Sequence, residues 1–144
     1  MRTARMLGLG LVTLTSLTLL GGCQRGQAPL TPVSGKVAYK GFTLQGGTIV
    51  FTPDGARGAA GPVALGKISQ DGSYHLYTGE ALGAPAGWYR VTVTSFAPSG
   101  VQNPTQPFNQ PYSFLPDKYR DPGLSEVACE IKANRANAID FNLE

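Results

Sequence analysis

A single histidine, His75, occurs in the 144-residue chain. A Ser-His-Asp triad, a Cys-His pair and a multi-histidine metal site are therefore excluded within one molecule. The chain carries no G-x-S-x-G elbow, phosphate-cradling glycine loop or EF-hand loop. Asp54 and Asp71 each precede a glycine. That is the pattern of turn chemistry rather than of calcium binding, which needs several oxygen ligands clustered at regular spacing. Glu80, Asp117 and Asp121 fall on loops, and nothing selects two of them as an acid–base couple. Of the two cysteines, Cys129 sits in the strand-like run Glu126–Ile131, where it serves as a small hydrophobe. The sequence thus calls for no catalytic residue, no metal ion and no soluble cofactor, and what remains is binding chemistry.

Two features carry that chemistry. Trp88 and Arg90 alternate with Tyr89 and Val91, which places them together on an outward strand face with Thr92. An outward indole beside a guanidinium stacks on a sugar ring or anchors a protein, or else it covers a sheet edge. Residues 96–122 form the second feature, a connection unusually long for a compact domain. It holds six prolines, with Phe96, Phe108, Tyr112, Phe114 and Tyr119 interleaved. Proline lowers the ordering cost of presenting aromatics to a partner. The competing reading packs the loop over the end of the domain, with Leu115 and Tyr119 as plugs. The candidate binding residues are Trp88, Arg90, Phe108, Tyr112 and Phe114.

The elements that must position these residues are short strands. Nineteen Gly and eleven Pro with 15% charged and 42% hydrophobic residues describe a folded, turn-rich domain rather than a long-helix protein. Val33–Tyr39, Gly47–Thr52, Val63–Ser69, Tyr74–Tyr77, Trp88–Thr94, Glu126–Lys132 and Ala138–Leu143 read as strands from their β-branched and aromatic alternation. Gln70-Asp71-Gly72 between two such runs signals a hairpin. Gly41, Gly55, Gly72 and Gly87 fall where turns need a positive φ or close backbone approach. Tyr74, Tyr89 and Phe51 face the core. The expected fold is all-β, a seven-stranded antiparallel sandwich.

The N-terminus reads as an address. Arg2 and Arg5 precede an apolar run from Met6 to Leu20, too short and wrongly flanked to read as a membrane span. The run ends in Leu20-Gly21-Gly22-Cys23, which resembles the lipobox of bacterial lipoproteins. The resemblance implies that residues 1–22 are a cleaved signal peptide and that the Cys23 thiol takes a covalent diacylglyceryl lipid. With an acylated α-amine, three chains exceed the two signals that stable anchoring needs. Residues 23–31 make a tether, and its eight residues after the cysteine reach about 27 Å when extended. Gln24, rather than Asp, follows the cysteine, which favours the outer membrane where a cell has one. Removing Arg2 and Arg5 leaves ten bases against nine acids, so the +3 of the full chain falls to +1 and gives no support for nucleic-acid binding.

The remaining chain resembles the carboxypeptidase regulatory-like, transthyretin-like (prealbumin-type, Ig-like) β-sandwich of small planctomycete-type lipoproteins. The matching pieces run in order: Val33-Ser34-Gly35-Lys36-Val37, Gly46–Phe51, Gln70–Tyr74, Pro85–Val93 and Leu115–Tyr119. The resemblance implies a domain over residues 32–144, a lipid anchor and no catalytic residues. The expected protein is a non-enzymatic, membrane-anchored lipoprotein of the cell envelope that binds or scaffolds a protein partner. The alternative is a carbohydrate-binding module that uses Trp88 and the loop aromatics against an envelope polysaccharide.

Overall fold

The computed structural model describes residues 28–96, 113 and 115–144. In chain order the strands are β1 (Leu30–Thr31), β2 (Val33–Tyr39), β3 (Phe42–Thr43), β4 (Gly47–Pro53), β5 (Ala64–Ile68) and β6 (Ser73–Thr78). They continue with β7 (Ala81–Leu82), β8 (Ala84–Pro85), β9 (Gly87–Thr94), β10 (Ala128–Ile131), β11 (Asn137–Ala138) and β12 (Phe141–Leu143). The described residues contain no α-helix, only short 3-10 turns at Gly55–Arg57 and Asp117–Tyr119.

The described residues are all-β, built on a curled sheet in the order β10-β9-β4-β5-β6-β2-β11, while β1 and β8 pair with each other. The long strands match the expected runs within a residue or two, and most pairs are antiparallel. The C-terminal run departs from the expectation twice. It pairs parallel to β2, and it is two strands rather than one. The break has a local cause, because the Asp140 carboxylate accepts a hydrogen bond from the Lys36 N–H at 2.7 Å and so takes a main-chain ladder position.

Period-two alternation places the core. Tyr89, Val91 and Val93 of β9, Ile49 and Phe51 of β4, and Tyr74 and Leu76 of β6 are all buried. Ile139, Phe141 and Leu143 also share the inward side as the alternation requires, Ile139 being partly buried against the core. Phe51 lies at the centre, with ring centroids 5.9 Å from Tyr89, 5.9 Å from Phe141 and 6.2 Å from Tyr74. Strands β4 and β9 thus meet β6 and β12 through one aromatic cluster. Each buried tyrosine keeps a polar outlet, as its type demands. The Tyr74 hydroxyl donates to the Ile139 carbonyl at 2.6 Å and the Tyr89 hydroxyl to the Pro85 carbonyl at 2.8 Å. Burial holds both phenols above their usual range.

Two turns show why their residues are there. Lys40 and Gly41 have φ of 50° and 80°, the pair of left-handed conformations of a type I′ hairpin between β2 and β3. Gly35 has a different task. A Cβ there would stand 1.8 Å from the Ile139 carbonyl oxygen, so its hydrogen side lets the C-terminal run lie against β2. Gly55 needs neither a positive φ nor space, contrary to expectation, and Gly58 takes the left-handed position at φ 74° instead.

Residues 115–127 cross from β12 to β9. The Tyr119 hydroxyl bonds the Glu144 main chain, and Ser125 donates to the Val91 carbonyl at 2.5 Å. Leu115 and Tyr119 are buried as plugs. The strand directions define two ends. Residues 28–32, the β4–β5 loop, the β6–β9 segment and the β10–β11 loop gather at one end, and the β2–β4 and β5–β6 connections with Phe96 gather at the other.

Candidate functional site

Of the expected site residues, Trp88 and Arg90 are described; Cys23, Phe108, Tyr112 and Phe114 lie outside the described residues. The structure joins Trp88 and Arg90 to two residues that the sequence reading did not single out for binding, Asp54 and Arg57. The arrangement begins at Pro53, where β4 ends. Asp54 is the N-cap of the 3-10 turn Gly55–Arg57, and its carboxylate accepts from the Ala56 N–H at 3.2 Å. One turn later Arg57 comes round beside that carboxylate, its Nε 3.4 Å from Oδ2. Arg90, on the adjoining β9, brings its Nε to 3.5 Å from Oδ1. Asp54 is 5% exposed, and the two guanidinium groups that flank it are far more open to solvent.

Trp88 is half-buried and carries the Arg57 guanidinium over its ring, 4.2 Å from the centroid. Its carbonyl also accepts from the Asp54 N–H at 2.9 Å, so strand and turn are joined through main chain and side chain alike. A pocket of about 250 Å³ lies here, lined by Arg57, Trp88 and the small residues Gly58, Ala59, Ala60 and Ala86 among others. One expected neighbour is not available, because Thr92 is covered rather than open to solvent. Glu130, directly across from Trp88 on β10, takes a place beside it. The signal that sequence reasoning passed over was the i, i+3 spacing of Asp54 and Arg57 just after a strand-ending proline.

Two other surfaces stand out. At the end away from residues 28–32, a pocket of about 350 Å³ is lined by Tyr39, Phe42, Leu44 and Phe96 together with Lys40, Thr43 and Gln45. Phe42 is 80% exposed and Phe96 51%. Phe96 also bridges to Ser113, which closes the base of the long connection at this end. On the sheet face, Leu65 stands opposite Tyr77 and Tyr77 opposite Leu82, an exposed apolar row across three strands.

The remaining candidates behave as strand or turn residues. His75 is exposed on β6. Asp71 accepts from the Ser73 hydroxyl at 2.6 Å and from its N–H at 3.1 Å, and these bonds hold its carboxyl below the usual range. Cys129 is free and packs against the core, and desolvation pushes its thiol up to about 12. That is the behaviour of a packing residue, since the thiolate is the reactive form. Among the described residues no group of three or more His, Cys, Asp or Glu side chains converges. Comparison with family models, with curated proteins and with solved structures found no match.

Proposed function

We propose that the chain is a non-enzymatic lipoprotein of the cell envelope, anchored by lipid on Cys23, whose domain holds a protein partner at the end away from the membrane. The observation that carries this reading is the opposition of the two ends. The chain's route back to Cys23 leaves through Leu30–Thr31, while the exposed Phe42 and Phe96 and their apolar pocket stand at the other end. A tether this short holds the first end near a bilayer and leaves the second facing outward. Exposed aromatics rimmed by polar residues are the usual anchors of protein interfaces. We further assign the domain, residues 32–144, to the carboxypeptidase regulatory-like, transthyretin-like sandwich with seven main strands. The packing of β4 and β9 against β6 and β12 supports that assignment. Gln24 after the cysteine favours the outer membrane in a cell that has one.

The carbohydrate reading is weaker, because Arg57 already occupies a face of the Trp88 ring. A sugar would have to displace it. The test is site-specific photo-cross-linking in cells that express the full-length chain, with the probe at Phe42 or at Phe96 and a control probe at Lys67. A discrete protein adduct from the first two positions and none from the control is expected. The absence of any such adduct, with saturable quenching of Trp88 emission by an envelope polysaccharide, would reverse the order of the two readings.

A further inference from the structure

We propose that the Arg57–Trp88 pocket takes the phosphate headgroup of a phospholipid in the anchoring membrane, so that the domain is held in one orientation on the bilayer. The inference rests on the reading of Cys23 as the lipidated residue. Position is its first support. Ala86 lines this pocket and also a second one, formed by residues 28–32 and the β10–β11 loop, so the site adjoins the place where the chain leaves for Cys23. Five residues from Cys23 to Ala28 span about 17 Å at most, which keeps the pocket within reach of the headgroup layer.

Chemistry is the second support. Asp54 and the indole face hold Arg57, and its terminal nitrogens have no hydrogen-bond partner among the described residues. A guanidinium that pairs with a carboxylate through Nε keeps its two terminal nitrogens for the planar, bidentate match to a phosphate. Asp54 is shared by two guanidinium groups, so the cluster keeps one positive charge. Gly58, Ala59 and Ala60 leave the approach open. A half-buried tryptophan with a polar neighbour suits the membrane–water interface. A diffuse basic surface is not the cause, since the exposed Glu80 and Glu130 balance Lys132 and Arg135 at this end. The contact must be made at Arg57 itself.

The mature chain has one tryptophan, so its emission reports on this pocket alone. Full-length lipidated protein would be purified from membranes and reconstituted into two kinds of vesicle. One is phosphatidylethanolamine and phosphatidylglycerol; the other is digalactosyldiacylglycerol, which lacks phosphate. Both carry a headgroup-level spin label. Quenching at least two-fold stronger in the phospholipid vesicles is expected. Arg57→Gln should abolish the difference and Arg57→Lys should restore part of it, while Lys132→Gln with Arg135→Gln should leave it intact. A thermal melt checks that each variant is folded. Equal quenching in the two lipids, or a difference that survives in folded Arg57→Gln, overturns the inference and leaves the anchor standing. Saturable reversal by inorganic phosphate makes free phosphate the ligand and also overturns it. So does Trp88 shielding seen in native membranes but not in either vesicle, which assigns the pocket to a protein. Protein that fails to float with vesicles overturns the reading of Cys23 and this inference with it.

Discussion

Gly35→Ala is the sharpest probe of the fold, because it asks whether the C-terminal run really lies against β2. A Cβ at position 35 would be 1.8 Å from the Ile139 carbonyl oxygen, and ordinary contact begins at 3.4 Å. Both atoms that clash belong to backbone-fixed groups, so the C-terminal run has to move. Three bonds hold it in that stretch: Ile139 N–H to the Ser34 carbonyl at 2.8 Å, the Tyr74 hydroxyl to the Ile139 carbonyl, and Lys36 N–H to Asp140. At about 1 kcal/mol net for each hydrogen bond, losing them costs roughly 3 kcal/mol, a large share of a small domain's stability. For a domain of this size that corresponds to a fall in Tm of roughly 10 °C. Gly55→Ala is the matched control. Nothing lies within 4 Å of a Cβ there and its φ is not positive, so it should be neutral or raise stability by about 0.5 kcal/mol. Urea and thermal unfolding of both variants, followed by circular dichroism, decide the matter. A Gly35→Ala melt within 2 °C or so of the parent would mean that the parallel pairing is wrong.

Other perturbations test other parts. Phe51→Ala removes the ring that touches Tyr74, Tyr89 and Phe141 and should cost about 3–5 kcal/mol in urea unfolding; a loss below about 1 kcal/mol would remove it from the centre of the core. Cys129 stays neutral in the folded chain while the unfolded thiol ionises above its ordinary 9.0, so the unfolded state binds fewer protons at high pH. Its contribution is complete below pH 9 and is lost as pH rises toward 12, by about 1 kcal/mol between pH 9 and 10. Tyr74 and Tyr89, also raised, add the same sign at higher pH. Cys129→Ala should flatten that first pH unit of loss, and an unchanged slope would disprove the assignment. Lys40→Asn places a residue tolerant of positive φ in the β2–β3 turn and should raise Tm, worth up to about 1 kcal/mol; a lower Tm would argue against a type I′ turn. Asp54→Ala removes the cap and the shared partner of Arg57 and Arg90. A loss of about 1 kcal/mol and a red shift of Trp88 emission are expected, and unchanged emission would show that Arg57 is held over the ring without Asp54.

Local chemistry was enough for the all-β class, for most strand positions and for the inward sets. Alternation at Tyr89, Val91 and Val93, or at Ile139, Phe141 and Leu143, is a property of neighbouring residues and needs no knowledge of the partner strand. The turns at Lys40-Gly41 and Asp71-Gly72 were legible for the same reason. The direction of the last strands was not, because alternation is the same in a parallel and an antiparallel pair. Here β10 runs antiparallel to β9 and ends where β2 begins, so the β10–β11 loop delivers the C-terminal run to β2 in the parallel sense. Gly35 looked like an ordinary strand residue until that run lay over it. The Arg57–Asp54–Trp88 cluster escaped for a related reason. Asp54 was legible as a turn former, but its second guanidinium comes from β9 and the indole under Arg57 from the same strand, and only the β4–β9 pairing brings them within 3.5 and 4.2 Å. Periodicity reaches a few residues along the chain, whereas these contacts join segments that the fold alone makes neighbours.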